Sequence, residues 1–482
     1  MAQPFVEPCS RGIVAAQPCP RELGRETSPQ RRRMVLAACV LASSMAFIDG
    51  SALTVALPNL RAGFGADLAS VQWVVNGYVL TLASITLVGG ALADVYGKAR
   101  MLAIGSLLFG LASALCALAP SVGWLIATRI LQGVGAAILT PASLALIGAV
   151  YPQDERNRAV GVWAAASALT TAGGPVLGGW LVETFGWQSV FWINPPLALV
   201  VGGLLVAFAP ADRRELRQFD VIGAAILAAA LGALAWALSQ INAGQQTPAQ
   251  ATPAVPPLVP GVTIAVVGGL GVAGLALYAY WERISPHPMT PPRLLNNRTF
   301  VGLNVATLLI YSGLALMFFL LPFDLVDRRG LTATEAGLAF LPFTLGLGLL
   351  SRPFGALADA IGPRPMLIAG AAGASLAFVW MAFGRDASLT LAIIGPMVLL
   401  GISFAVLVTP LTASVISSVE RSDQGLASGI NNAASRVAQL FGVALAAGIA
   451  SLESGFQIGF IAAAAVTMVG ALTVAVTVPP GT

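Results

Sequence analysis

Apolar stretches of about 20 residues recur in this chain from about position 34 to its end. Each can span a bilayer core of about 30 Å. No water satisfies backbone N–H and C=O groups inside lipid, so such stretches must be helices that bond internally. Fourteen can be marked, beginning near residues 34, 70, 99, 122, 159, 187, 219, 260, 299, 333, 364, 388, 424 and 456. The chain is therefore expected to be an all-α integral membrane protein with fourteen transmembrane helices. Its charged fraction of 10% agrees, because soluble chains carry about 25%.

Arginine and lysine placement predicts the topology. Residues 1–33 form a polar tail with Arg11, Arg21, Arg25, Arg31, Arg32 and Arg33. The tail is too long and too arginine-rich for a signal peptide, and the apolar run after it contains Asp49, so an uncleaved first helix is expected. With a cytoplasmic tail, inside segments hold 19 basic residues and outside loops hold 4, namely Arg61, Arg328, Arg329 and Arg385. Both termini are thus expected in the cytoplasm. The net charge of +4 reflects this asymmetry. The run Arg31–Arg33 is a topology signal at a membrane edge rather than a nucleic-acid patch. No nucleic-acid partner follows.

Metal and redox chemistry find no spacing. Cys9 and Cys19 lie in the tail, and Cys39 and Cys116 lie in helices as packing residues. His287, the single histidine, sits between two prolines in a predicted loop. Proton handling inside the membrane would therefore fall to carboxylates. No metal and no organic cofactor is expected. GLGVAG at 269–274 spells a nucleotide-binding pattern but lies within an apolar helix with no strand before it. No phosphate-binding loop for ATP is visible either.

The pentapeptide GALAD occurs at 90–94 and again at 355–359. Each copy is followed by two variable residues and a glycine, Gly97 and Gly362. The same offset carries the start of the first helix onto the start of the ninth. Two parallel six-helix halves are predicted, a transporter plan that places the substrate between the halves. The predicted organisation is a tail at 1–33, a first bundle at 34–210, an inserted helix pair with flanking loops at 211–298, and a second bundle at 299–482. The segment 242–259 is expected to be an irregular outside loop. Gly90 and Gly355 permit close helix contact, and Gly97 and Gly362 supply turn glycines. Asp94 and Asp359 could meet a helix N-terminus across the interface of the halves, or staple a loop.

A charge at a helix centre costs about 2.5–3.5 kcal/mol on insertion scales, so intramembrane charges are functional candidates. Asp49 lies nine residues before Pro58, the predicted outer end of its helix, and so about 13 Å deep. Arg129 is expected at about 10 Å in the fourth helix. A pair at matching depth would offset much of the desolvation cost. Asp49 is the predicted proton acceptor and Arg129 its modulator; a static ion pair is the alternative. Arg436 shares a helical face with Asn432, Ser435 and Gln439. That stripe either lines a cavity or bonds helices together. Gln72 and Asn76 allow the same two readings. Gly174 and Pro175 weaken the fifth helix, and Gly174 and Gly178 are spaced for close packing where the halves meet. Trp73, Tyr78, Phe318, Phe319, Phe340 and Phe343 could line an apolar site or simply pack. Asp324 could be a second protonation site or an interfacial acid.

Several motifs resemble the major facilitator superfamily. GALADVYGKAR resembles its loop signature through Gly90, Leu92, Ala93, Asp94, Gly97 and Lys98, with Val95 where arginine is usual. RILQGVGAA carries Arg129, Gln132, Gly133 and Gly135. GGPVLGG, with Gly174, Pro175, Gly178 and Gly179, resembles the antiporter motif of drug exporters, with Thr170 in place of one glycine. FIDGSALTVALP resembles the aspartate motif of the fourteen-helix drug:proton antiporters, with Thr54 for asparagine. WINPP, FDVIG and ASGINNAASR fit the same branch. The resemblance covers about 34 to 478. It implies a major-facilitator-type fold in a bacterial plasma membrane. It also implies multidrug efflux and antibiotic resistance: export of small amphiphilic or cationic compounds, such as drugs and toxic metabolites, by alternating access and driven by a proton gradient. The partners would be a small-molecule substrate, protons and the lipid bilayer, with a monomer as the expected state.

Three other classes compete. A facilitator-fold importer of a nutrient or siderophore fits the helix count but not the antiporter-like fifth helix. A membrane-embedded enzyme would need clustered polar residues at one membrane face, and only scattered ones occur. A non-transporting sensor would be marked by the absence of any transport signal.

Overall fold

Short polar residues set where the helices begin. Asp67 accepts a hydrogen bond from the Ser70 amide at 3.1 Å, Ser121 from Trp124 at 3.3 Å, and Asn297 from Phe300 at 3.1 Å. Each satisfies a donor that the first helical turn leaves open. The computed structural model describes residues 28–210, 220–240, 262–286, 288, 290, 292–384, 387–420, 424–450 and 454–479. Cys9, Cys19, His287 and the segment 242–259 lie outside the described residues.

Helices of 15 residues or more are numbered along the chain. They are α1 Pro29–Phe64, α2 Leu68–Tyr96, α3 Lys98–Ala117, α4 Val122–Val150, α5 Gln153–Phe185, α6 Asn194–Phe208 and α7 Val221–Gln240. The series continues with α8 Val262–Ile284, α9 Arg298–Phe323, α10 Leu341–Ile361, α11 Pro363–Phe383, α12 Gly395–Ser417, α13 Gln424–Ala450 and α14 Gly455–Thr477. No strand occurs among the described residues. Among the described residues, eleven spans are long and apolar enough to cross a membrane. A twelfth is α5, whose two parts, Arg158–Thr171 and Gly173–Phe185, meet at 42°. The bend lies beside Gly174 and Pro175, where proline removes an internal bond. Within α7 the described apolar stretch is Ile222–Ala237. Among the described residues, twelve of the fourteen helices thus match spans of this kind.

Some predicted boundaries move. Pro58 lies inside α1, which continues to Phe64. A trans proline removes one donor but does not end a long helix held by its neighbours. The helix expected from 333 is broken into Ala333–Leu338 and α10. The first piece is started by an N-terminal capping box between Thr332 and Glu335.

Packing repeats along the chain. α1 lies on α5 and α6, α2 on α4, and α3 on α4 and α6. In the second set, α9 lies on α13 and α14, α10 on α12, and α11 on α12 and α14. α7 and α8 pack on each other, and α7 also touches α2 and α13. The apolar interior falls into two cores. Val35 to Met45 of α1 pack with α3, α4 and α6. Further along the same helix, Ala52 to Leu60 join the core of α9–α14. The helix sets therefore merge at the end where α1 finishes.

That end is closed by main chain. A Cβ on Gly179 of α5 would come within 2.8 Å of the Ala333 carbonyl carbon. One on Gly337 would come within 2.9 Å of the Pro175 carbonyl carbon. Only glycine admits backbones this close. Glu183 accepts from the Thr334 amide at 3.1 Å, and Arg61 pairs with Asp327 at 3.5 Å.

Candidate functional site

The site grows from charges that the apolar helices cannot solvate. Asp49 of α1 is 0% exposed and Arg129 of α4 is 1% exposed. Arg129 Nη1 donates to Asp49 Oδ2 at 2.5 Å. It also donates to Gln132 Oε1 at 2.7 Å, while its Nε donates to the Val74 carbonyl at 3.1 Å. Gln132 Nε2 in turn donates to Asp49 Oδ1 at 2.8 Å. Asn194, at the start of α6, donates to Asp49 Oδ1 at 3.5 Å and to Ser113 of α3 at 2.9 Å. Side chains of α4 and α6 thus hold the carboxylate of α1, and Ser113 of α3 braces them from behind. The guanidinium lies 4.2 Å from the Tyr78 ring centroid, a stabilising cation–π distance. Isolated ions could not persist here. A paired and hydrogen-bonded set can.

Beside this cluster lies a cavity of about 330 Å³ between the two helix sets. Its wall carries Tyr78, Phe318, Phe343, Arg129, Arg436 and Gln439, among others. Phe318 stands 5.7 Å from Phe343, and Phe343 stands 5.7 Å from Phe404, ring centre to ring centre. Such a mostly apolar wall with a few polar groups suits a small organic ligand. Asp49 does not line it. Arg129 touches both Asp49 and the cavity.

The predicted residues divide accordingly. Asp49 and Arg129 meet; Arg436 and Gln439 line the cavity, with Arg436 Nη1 donating to Gln439 at 3.3 Å. Asn432 is half-buried and outside the lining set. Bonding between helices falls to its neighbour Asn431, which donates to Thr307 at 2.8 Å and to Asn304 at 3.2 Å. Gln72 and Asn76 are 0% exposed and do not line the cavity. The lining stripe of α2 runs through Val75, Tyr78, Val79 and Leu82, and a turn of about 100° per residue carries both amides off it. Neither amide has a hydrogen-bond partner among the described residues.

Gly174 and Gly178 do not lie where the helix sets meet. They face Ser51 and Ala52 of α1. Gly179 and Pro175, on the adjacent face, make the contact with Ala333–Leu338. The reason is again helical rotation: residues four apart share a face and their neighbours do not. A Cβ on Gly90 would lie 3.5 Å from Pro141 Cβ, an ordinary contact. Gly97 and Gly362 have φ of 104° and 88°, values that favour glycine. The carboxylates of Asp94 and Asp359 lie outside the described part of the structure. Asp324 is buried and held by Arg328 and by Arg329, the latter at 2.9 Å. Trp73 and Phe340 are not in the cavity wall, whereas Phe319 is. Sequence reasoning missed Asn194 as a partner of Asp49, and Ser113 as the hydroxyl that accepts from both Gln132 and Asn194. WINPP contains Asn194, but nothing in the motif gives its partner; Ser113 carries no signal.

The two unpartnered amides make a testable structural point. Gln72→Met and Asn76→Leu each remove buried polar atoms at similar volume. Each should stabilise this state by about 1 kcal/mol, raising the melting temperature of the purified protein by about 2 °C. A fall in melting temperature for both would show that the amides are satisfied.

Apolar helices around an aromatic cavity, with a sequestered ion pair at its wall, define a membrane transporter. The profile of the Major Facilitator Superfamily matches residues 39–295 and 303–482. The chain belongs to the major facilitator superfamily. It is 33% identical over 415 residues to the multidrug resistance protein Stp of Mycobacterium tuberculosis, covering 86% of this chain and 74% of that one. It is also 33% identical over 430 residues to the cephamycin export protein CmcT of Amycolatopsis lactamdurans, covering 88% and 86%. Its fold is similar to that of a crystal structure of the peptide transporter POT in complex with sulfate, with a TM-score of 0.68 and 15% identity over 93% and 94% of the two chains. The xylose transporter XylE from E. coli is similar at a TM-score of 0.63 and 14% identity, over 93% and 99%.

Proposed function

We propose that this protein is a proton-coupled exporter of small amphiphilic compounds. The observation that carries the reading is the buried Asp49–Arg129 pair beside an aromatic cavity. Asp49 is the proton acceptor. Taking a proton would remove its charge, weaken its hold on Arg129 and free that guanidinium toward the cavity. Names of relatives support the direction: multidrug resistance, cephamycin export, and puromycin resistance in Streptomyces alboniger. We place the chain in the fourteen-helix drug:proton antiporter branch. All fourteen helices cross the membrane in this reading, as two bundles, 34–210 and 299–482, with an inserted pair at 211–298. The repeated helix pairings support that division. Both termini face the cytoplasm, so the end closed by Gly179 and Gly337 is the outer one and the structure is the inward-facing state. The working unit is the monomer.

The test uses inverted membrane vesicles energised to an acidic interior. Puromycin and a cephamycin, chosen from the relatives' names, should each release protons from the lumen and accumulate inside. Exit of either compound from a preloaded lumen together with protons would instead make the protein an importer. No response to either would sink the reading for this cargo class.

A further inference from the structure

The cavity wall is unbalanced in charge. Among the described residues its charged members are Arg129 and Arg436, and none of them is a carboxylate. Arg129 is already neutralised by Asp49. Asp49 is sealed behind Arg129, Gln132 and Asn194, which occupy both of its oxygens, and so offers nothing to a ligand. Arg436 stands apart. It is half-buried on α13. The protein acceptor it reaches among the described residues is Gln439 Oε1, a neutral amide, at 3.3 Å. A guanidinium carries five donors in a fixed fork, so most of that fork is open toward the cavity. A cation without a counter-ion beside apolar walls is costly. The wall around it is aromatic: Tyr311, Phe318, Phe343 and Phe404.

We propose that the cavity selects anionic amphiphiles, with the substrate's carboxylate seated on Arg436 and its apolar body against these rings. The proposal rests on the exporter reading and narrows it. The motif resemblance allows cationic cargo, whereas the wall presents a bound cation with an unpaired guanidinium and no accessible acid. A carboxylate supplies the missing counter-charge and can accept two parallel N–H bonds from one guanidinium. Gln439 Nε2, on the same helical face, is free to donate to a second carboxylate lone pair. Sulfonates share this chemistry.

Three probes of one shape separate the charge states: naphthylacetic acid, naphthylacetamide and naphthylmethylamine. Their binding to the purified full-length protein is measured by equilibrium dialysis at neutral pH. The acid should bind at least about tenfold more tightly than the amide, and the amine most weakly. Arg436→Gln should erase the preference, leaving the acid and the amide within about twofold of each other. Arg436→Lys, which keeps the charge but loses the fork, should retain part of it. An amine that binds as tightly as the acid overturns the proposal, as does an acid preference that survives Arg436→Gln. If the variants fail to fold, the order of the three probes on the wild type decides alone. Uptake by inverted vesicles then separates this inference from the exporter reading. Uptake of the amine but not of the acid overturns the charge preference and leaves export standing. An acid preference in dialysis with no energised uptake of any probe leaves the charge preference standing and removes export.

Discussion

Asp49→Asn should abolish substrate-driven proton movement in inverted vesicles, lowering it at least about a hundredfold. The carboxylate is the one acid among the described residues that contacts the Arg129 guanidinium. Asparagine keeps the shape but cannot carry a proton. The same change leaves Arg129 as an uncompensated buried charge, which costs about 3–5 kcal/mol when a buried partner is removed. A fall in melting temperature is therefore expected together with the loss of transport. The double variant Asp49→Leu with Arg129→Met separates the two effects. Replacing a buried ion pair by packed apolar groups is often neutral or stabilising, so its melting temperature should recover. Its transport should not. Recovery of both would make the pair a static brace and move coupling to another carboxylate.

Gly179→Val and Gly337→Val should each hold the transporter open at the end that is closed here. The added side chains would enter the backbone of Ala333 and of Pro175. Overpacking of this kind costs about 1–3 kcal/mol, which shifts the balance of the two states about 5- to 150-fold. The readout is a cysteine at Leu57, a wall residue buried in this state. It should become reactive to a membrane-impermeant maleimide from the side of the loop between α1 and α2, and export should fall in parallel. Gly203→Ala on α6, where a Cβ meets nothing within 4 Å, should change neither. Unchanged labelling in both valine variants would mean that the contact between Gly179 and Ala333 is not part of the closure.

The sequence was informative where a residue type is rare in its setting. An acid and a base in apolar helices stand out, and depth counted along the helix was enough to pair Asp49 with Arg129. Depth does not give rotation, and rotation decided the rest. Gln72 and Asn76 lie at suitable heights but point off the lining stripe. Gly174 and Gly178 face α1, while the adjacent Gly179 faces the opposite helix set. Polar residues that are common in helices, such as Ser113 and Asn194, give no sign of the partner they will meet. The aromatic wall was half legible for the same reason. Phe318, Phe319, Phe343 and Tyr78 turn inward, and Trp73 and Phe340 do not line the cavity.

Arg129 is, among the described residues, the single side chain that both bonds Asp49 and borders the cavity. In the proposed mechanism the cargo wall and the proton site would communicate through one guanidinium, since no other wall side chain among the described residues hydrogen-bonds the Asp49 carboxylate. Such an arrangement separates what can drift from what cannot. Substitutions at Phe318, Phe404 or Arg436 can redraw the range of molecules accepted while the energy-coupling step stays as it was. In a lineage facing changing toxins, new specificities would arise by editing the wall alone.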